Sequence, residues 1–263
     1  MLIGHPPIAA DQTTIHAVLA DHAGGPPTQA ALICDGWPVG YGELHRESNR
    51  AARSLRAAGA GPGTRVAYLG RETEHFYEVL FGCAKTGAVL VPIDRRTSPE
   101  EAVRGLAAAE PIVVLADEEL MDVVEEAGCG GRVVPLADFA SWKSILDSDL
   151  PVRSDGPLVG VWQDGAVSVL THGGLLSAPD DLGLRPGDVS LLGTPGLRVP
   201  GLWWAMQGFR AGATVVTMRS YAAGEAGRLI ARHGVTAACL DPLLAARLRG
   251  ADLSALRTVV RTG

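Results

Sequence analysis

The chain has 263 residues, of which 47% are hydrophobic, with a formal net charge of −6 and a pI near 5.6. This length and composition provide enough apolar side chains for one large core or two smaller ones. The acidic balance, without a basic stripe, argues against a nucleic-acid surface. No run approaches the roughly 20 apolar residues of a membrane-spanning helix, and an N-terminus without a signal-peptide pattern predicts a cytoplasmic protein.

The first half of the chain contains one clear strand–helix–strand unit. Two apolar runs, residues 64–69 and 87–93, flank a helix predicted over residues 72–85. Nearly continuous apolar runs are typical of parallel strands, because both faces of such strands are covered. The apolar positions of the helix recur at helical spacing, and Glu72 and Lys85 fall outside that stripe, which predicts a solvated face.

Other elements of the first half follow from the same patterns. Helices are predicted over residues 14–22, 41–58, 99–109 and 118–127, a hairpin over 30–39, and strands over 111–116 and 129–136. Turn-forming residues dominate 137–156, which predicts a linker. We therefore expect a first α/β subdomain over residues 1–150 and a second over 151–263, together forming one compact domain.

The second half resumes the alternation of strands and helices. Helices are predicted over residues 200–209, 221–233 and 242–248, and strands over 158–162, 166–170, 189–192, 213–218, 235–240 and 258–260. Alternation in both halves predicts an α/β fold of layered, largely parallel, Rossmann-like sheets with helices on both faces.

The reactive side chains are few and scattered. The four cysteines lie far apart in apolar or glycine-rich contexts, which predicts buried thiols rather than disulfides or a metal cluster: Cys34, Cys83, Cys129 and Cys239. Lys85 and Lys143 are the two lysines of the chain. Lysine chemistry therefore has two candidate residues.

Several motifs, in their order along the chain, closely resemble the adenylate-forming enzyme superfamily. They include Tyr41-Gly42-Glu43-Leu44, Gly61-Pro62-Gly63-Thr64-Arg65-Val66, Ala84-Lys85-Thr86-Gly87-Ala88, Leu170-Thr171-His172-Gly173-Gly174 and Gly212-Ala213-Thr214-Val215-Val216. That superfamily includes acyl-CoA synthetases, adenylation domains of nonribosomal peptide synthetases and firefly luciferase. The resemblance implies the first part of their N-terminal domain, and an ancestry in ATP-dependent activation of carboxylic acids for transfer to a thiol.

The chain departs from the superfamily where the ATP phosphates would bind. The resemblance implies a Ser-, Thr- and Gly-rich loop ending in Pro-Lys-Gly, which should fall between Trp162 and Leu170. Gln163, Asp164 and Gly165 stand there instead, and the Asp164 carboxylate would repel phosphate oxygens. The Asp164-Gly165 pair predicts a tight turn between two strands.

Two further departures concern the acyl pocket and the downstream motifs. Arg198 occupies the position where the family usually carries a histidine. The sequence ends at Gly263, where the segment that covers adenine would begin, and neither Lys85 nor Lys143 matches the lysine of the phosphate loop or the catalytic lysine that the resemblance implies. We therefore expect no catalytic residue for adenylation, no cofactor and no metal site.

Four residues are candidates for binding a substrate: Arg198, Trp203, Trp204 and His172. Each has a structural alternative. Arg198 would anchor an anion or be a solvated surface residue, and the tryptophans would line an acyl pocket or pack their helix on the sheet. His172 would contact a ligand or have a capping or packing role.

The sequence therefore favours a non-catalytic relative of acyl-CoA synthetases that acts as a binding or partner subunit. We expect a small acyl ligand, and a homodimer or a heteromer with another acyl-activating or carrier protein. The alternatives are an acyl-CoA or acyl-carrier ligase completed in trans by another polypeptide, an altered activity in the old acyl pocket, and a decayed reading frame.

Overall fold

The computed structural model describes residues 14–26, 29–150, 156–163, 165–177, 182–248 and 252–261. Within them the α-helices, numbered in chain order, are α1 (Ile15–Ala23), α2 (Tyr41–Ala57), α3 (Glu74–Thr86), α4 (Pro99–Ala109), α5 (Met121–Ala127), α6 (Phe139–Trp142), α7 (His172–Leu176), α8 (Val199–Arg210), α9 (Ala223–His233) and α10 (Pro242–Arg247). Short 3₁₀ turns at Glu118–Leu120 and Leu136–Asp138 precede α5 and α6.

The strands of the described residues form two sheets of six strands each. They are β1 (Ala30–Cys34), β2 (Trp37–Gly40), β3 (Arg65–Gly70), β4 (Val89–Asp94), β5 (Val113–Ala116), β6 (Arg132–Pro135), β7 (Pro157–Gln163), β8 (Ala166–Thr171), β9 (Val189–Gly193), β10 (Thr214–Val216), β11 (Ala237–Leu240) and β12 (Thr258–Arg261). The predicted layered α/β fold is confirmed.

Each sheet is parallel except for one antiparallel hairpin at its edge. The first sheet has the order β2-β1-β10-β9-β11-β12, and the second has β8-β7-β4-β3-β5-β6. The pairs β1–β2 and β7–β8 are antiparallel, and the other paired strands run parallel. Each sheet contains strands from both sides of residue 150, since β1 pairs with β10 and β4 pairs with β7. The division into two subdomains stays a prediction.

The helix α3 is buried on all sides, contrary to the predicted solvated face. Every residue from Phe76 to Thr86 is buried, including Glu78 and Lys85. The two charged groups are accommodated because neighbouring segments supply partners. Glu78 accepts a hydrogen bond from Lys143 at 2.6 Å, and Lys85 donates to Ser48 Oγ at 2.6 Å.

Two short helices were missed by the sequence patterns. One is α6, which lies with the 3₁₀ turn Leu136–Asp138 at the start of the predicted linker. Phe139 of α6 is completely buried. The helix α7 begins directly after β8, where the Thr171 hydroxyl accepts a hydrogen bond from Gly174 N at 3.1 Å and caps it. Helices of four or five residues are too short to display a helical period.

The cysteines agree largely with the prediction of buried thiols. All four are free; three are buried, whereas Cys129 is half-buried. Among the described helices none is long and apolar enough to cross a membrane.

Candidate functional site

A cleft of about 440 Å³ lies where strands of both sheets end. Its walls include Gly70 and Asp94, the last residues of β3 and β4, and Asp35, which follows β1. The loops after β9 and β10 complete it, through Pro195, Leu197 and the segment 218–221. Ligands of open α/β sheets bind at the carboxyl ends of parallel strands. The cleft is therefore the candidate binding site.

Glu72, which lines the cleft, joins loops of both sheets. It follows β3, and its carboxylate accepts hydrogen bonds from Tyr77 Oη at 2.5 Å, Gly196 N at 2.8 Å and Tyr221 Oη at 3.0 Å. Burial raises the pKa of Glu72 above its ordinary value, and the nearby Asp94 carboxylate raises it further, whereas the three donors oppose the shift. Glu72 thus holds the two sheets together at their carboxyl ends.

A second cluster in the wall of the cleft consists of Asp94, Arg96 and Tyr221. Arg96 donates to Asp94 from Nε at 3.0 Å and from Nη2 at 2.5 Å, and its guanidinium lies 4.7 Å from the centre of the Tyr221 ring. Burial alone would raise the pKa of Asp94, but the hydrogen bonds from Arg96 hold it below its ordinary value. The pair is a bidentate ion pair with a cation–π contact.

The cleft combines four arginines, which outnumber its three acidic residues, with an apolar wall. Arg71, Arg95, Arg96 and Arg219 line it, together with Pro195, Leu197 and Met218. Three of these arginines form ion pairs, with Glu119, Asp94 and Asp35 respectively. The Arg71 guanidinium has no acidic partner within the described ranges, so it is available to an anion. The cleft can therefore hold a small molecule with an anionic end and an apolar body.

The predicted substrate-binding residues are not gathered in this cleft. Arg198 lies at its edge, 62% exposed, with Nε 3.7 Å from Asp94 Oδ2. Trp204 is completely buried in the core, and the partly buried Trp203 donates from its indole to Ser177 O at 2.7 Å. These placements match the packing alternatives for both tryptophans, and a role in binding stays a prediction.

His172 is the first residue of α7 and is buried away from the cleft. Its Nδ1 accepts a hydrogen bond from Ile15 N, at the start of α1, at 3.2 Å. This contact joins the first described helix to the end of β8. The placement is that of a packing residue, and ligand binding by His172 stays a prediction.

The connection between β7 and β8 is short. The strand β7 ends at Gln163, β8 begins at Ala166, and these two residues pair across the hairpin. Gly165 has φ +82, a left-handed conformation that glycine adopts readily. Asp164 lies outside the described residues. The tight turn predicted in place of a phosphate-binding loop is thus confirmed by the strand register.

Both lysines are sequestered by α2 and α3, away from the cleft. Lys85 donates to Ser48 Oγ, to Asn49 Oδ1 at 2.7 Å and to the His45 carbonyl at 3.1 Å. Burial lowers the pKa of Lys85 to about 7. Lys143 bridges two carboxylates of these helices. Neither ammonium group lines the cleft.

Sequence reasoning missed the residues that line the cleft, although a signal was present. Arg71 and Glu72 directly follow the apolar run at 64–69, and Asp94 to Arg96 directly follow the run at 87–93. Charged residues directly after two parallel strands of one βαβ unit share a sheet edge. The sequence gives no such signal for Tyr221, because this residue lies in the loop after β10 of the other sheet.

The fold and the cleft define a layered α/β protein with a ligand-sized site at the carboxyl ends of its strands. Residues 19–157 match the family model described as "AMP-binding enzyme". The chain belongs to this family of AMP-binding enzymes, which bears out the resemblance to adenylate-forming enzymes.

Two curated relatives match most of this chain. A fatty acid–[acyl-carrier-protein] ligase, ScoC of Streptomyces coeruleorubidus, is 43% identical over 243 residues, covering 85% of this chain and 47% of that protein. A feruloyl-CoA synthase of an Amycolatopsis species is 29% identical over 253 residues, covering 90% of this chain and 52% of that protein. The chain spans about half the length of these relatives.

Solved structures support the fold. A putative long-chain-fatty-acid CoA ligase from Rhodopseudomonas palustris superposes with a TM-score of 0.87 at 24% identity, covering 97% of this chain and 71% of that chain. The N-terminal domain of FACL13 from Mycobacterium tuberculosis gives a TM-score of 0.86 at 22% identity, covering 96% and 70%. At these identities the likeness concerns the fold alone.

Proposed function

We propose that this chain binds a small carboxylic acid in the cleft and does not convert the acid to an acyl-adenylate. The observation that carries the proposal is the Arg71 guanidinium, unpaired within the described residues, in a cleft that Leu197 and Met218 also line. An arginine can bind a carboxylate through two parallel hydrogen bonds, while the apolar side chains cover the acyl part.

The absence of adenylation is proposed because two sources of phosphate stabilisation are missing from the sites described. Residues 164 and 165 alone separate β7 from β8, which leaves no glycine- and hydroxyl-rich loop to surround a triphosphate. Lys85 and Lys143 are held in buried clusters. Transfer at phosphorus depends mainly on positioning and neutralising phosphate charge.

The relatives suggest which acids and partners to consider. Their names specify a fatty acid in one case and a feruloyl group in another, so fatty and aryl acids are the proposed ligands. An acyl carrier protein, as in the name of the first relative, is the proposed partner. We propose a cytoplasmic heteromer with such a carrier, with a homodimer as the other assembly.

Calorimetric titration with a medium-chain fatty acid and with ferulic acid tests the binding. We expect one of them to bind the wild-type protein, and Arg71→Met to weaken that binding about 10-fold or more, because the charged partner is lost. Arg104→Met is the matched control, since Arg104 is exposed on α4 and does not line the cleft. Equal affinity for wild type and Arg71→Met, or no binding of either acid, would contradict the proposal.

The second half of the proposal is tested by ATP–pyrophosphate exchange with the same acids. We expect no exchange above background, with a full-length acyl ligase as the positive control. Exchange by the isolated chain would show that it adenylates the acid.

A ligase completed in trans is the second candidate, favoured by the 43% identity to a ligase about half of which the chain matches. Mixing the chain with a polypeptide that corresponds to the unmatched half of that relative tests it. Exchange in the mixture, and in neither component, would select this candidate.

A further inference from the structure

We propose that Trp37, Arg228 and Arg232, here called the Trp37 surface, dock an acidic protein of the acyl-carrier-protein class. The inference rests on the proposed function for its choice of partner. The three residues belong to the β1–β2 hairpin and to α9, and they lie on the first sheet, beside the binding cleft but outside it.

The exposure of Trp37 is the first observation. Its side chain is 76% exposed at the start of β2, the edge strand of the first sheet. Tryptophan and arginine are the residues most enriched at the energetic centres of protein interfaces. Pro38, the next residue, removes a hydrogen-bond donor from this edge, which disfavours docking by strand addition. Contact through side chains is therefore the mode that fits.

The unpaired arginines are the second observation. Arg228 and Arg232 lie one turn apart on α9, and they line a concave region of about 870 Å³ with Gly36 and Arg219. The Arg232 Nη1 atom lies 3.9 Å from the position that a Cβ would take on Gly36, which places it beside the residue that precedes Trp37. Trp37 therefore directly follows a residue that the Arg232 guanidinium approaches.

The acidic residues of the same region are already engaged. Glu225, three residues before Arg228, is in position for a helical ion pair. Its carboxylate instead accepts hydrogen bonds from Arg219 N at 2.8 Å and from Ser220 N at 2.9 Å. Asp35 pairs with Arg219. In the part of the chain that the structure describes, Arg228 and Arg232 are therefore left without an acidic partner.

Charge complementarity selects the partner. Two like charges one turn apart repel each other on a helix, and an acidic partner removes that repulsion. A second copy bound through the same surface would bring its own Arg228 and Arg232 and add to the repulsion, although the chain as a whole carries a net charge of −6. A carrier protein with an acidic surface would supply the complementary charge, and apolar residues on that surface would supply a contact for Trp37.

The test uses the full chain and a purified holo acyl carrier protein as the probe, with affinity measured by calorimetry at two salt concentrations. We expect binding that weakens between about 50 and about 300 mM salt. Trp37→Ala should weaken it about 10-fold or more, and the double variant Arg228→Glu/Arg232→Glu about 30-fold or more at the lower salt. The matched control, Arg56→Glu/Arg104→Glu on exposed positions of α2 and α4, should change it less than about 3-fold.

Three outcomes would overturn the inference. They are no binding of the carrier by the wild type, an equal loss in the control, and a homodimer that Trp37→Ala dissociates, which would make the surface an interface between copies. Near-ultraviolet circular dichroism verifies that each variant is folded. Titration of the same preparations with the carboxylic acid separates the two proposals: acid binding without carrier binding contradicts the docking surface alone, and the reverse contradicts the acid-binding cleft alone.

Discussion

At the scale of single residues, the Glu72 carboxylate connects segments that form the cleft. Its carboxylate is shared by Tyr77, Gly196 and Tyr221, which come from three different segments. Replacing it with alanine leaves these donors without their buried acceptor. We expect Glu72→Ala to lower the free energy of unfolding by about 2 kcal/mol, measured by urea denaturation.

The pH dependence of stability provides a second measurement on Glu72. Its pKa is raised in the folded protein, so the folded state holds a proton that the unfolded state releases. The stability that the folded state gains by holding this proton is therefore fully present below the ordinary pKa of a glutamate. It is lost as pH rises through the raised pKa of Glu72. Glu72→Gln cannot titrate. We expect its stability relative to wild type to increase across that window, and parallel pH profiles would contradict this.

Lys85 gives the opposite dependence on pH. Burial lowers its pKa to about 7 in the folded state, so between that value and the ordinary pKa of lysine the unfolded chain binds the additional proton. Stability should therefore rise with pH in that interval, by up to about 1.4 kcal/mol per pH unit. Lys85→Met should lack this rise. Denaturant unfolding of both proteins between pH ~7 and ~10 measures the difference.

These two residues mark a limit of reading the sequence. Both are charged and fall outside the apolar stripe of the helix predicted over residues 72–85, so periodicity placed them on its solvated face. Their burial depends on Asn49, Gly196 and Tyr221, which are distant in sequence. A pattern within one helix contains no information about partners that another segment supplies.

At the scale of elements, the loop after β9 is fitted against the loop after β3. A Cβ on Gly196 would lie 2.1 Å from Glu72 Oε1, far inside contact distance. We expect Gly196→Ala to destabilise the protein by about 2 kcal/mol, because the carboxylate has to move away from its donors. Thermal and urea unfolding measure the effect.

The matched control for this substitution is Gly61→Ala, because among the described residues no atom beyond its two chain neighbours lies within 4 Å of the Cβ it would add. The double variant Glu72→Ala/Gly196→Ala adds a sharper test. Removing the carboxylate removes the clash, so the double variant should be more stable than the sum of the two single effects predicts. Simple additivity would show that the two residues are not coupled.

Elements with a clear local signal were predicted well. The hairpin over residues 30–39, the turn at Asp164-Gly165 and the apolar runs of β3 and β4 follow from turn chemistry and continuous hydrophobicity. The strand registers bear them out. The short helices α6 and α7 lacked such signals.

At the scale of the whole molecule, the order of strands within a sheet was beyond sequence patterns. Alternation predicts parallel strands, but it does not say which strands are neighbours. Residues 30–40 pair with a sheet whose other strands come after residue 188, and β7 and β8 join a sheet whose other strands come before residue 136. The cleft lies between the two sheets, so its composition could be predicted only in part.

Because each half of the chain contributes strands to the sheet formed mainly by the other half, we expect the chain to unfold as one unit. Cut between residues 150 and 151, the first piece would lack β7 and β8 beside β4, and the second would lack β1 and β2 beside β10. Each piece would expose apolar strand faces and unpaired backbone groups. We therefore expect neither piece to show cooperative unfolding alone, whereas the full chain should show one transition.

Coincident urea transitions by circular dichroism and by the fluorescence of the five tryptophans measure the cooperativity of the full chain. Mixing the two pieces is the complementary experiment, because the missing strands are then present and the native pairs can form across the break. If only the mixture unfolds cooperatively, each sheet needs strands from both pieces in order to fold. A folded single piece, or two separate transitions in the full chain, would instead support two independent subdomains.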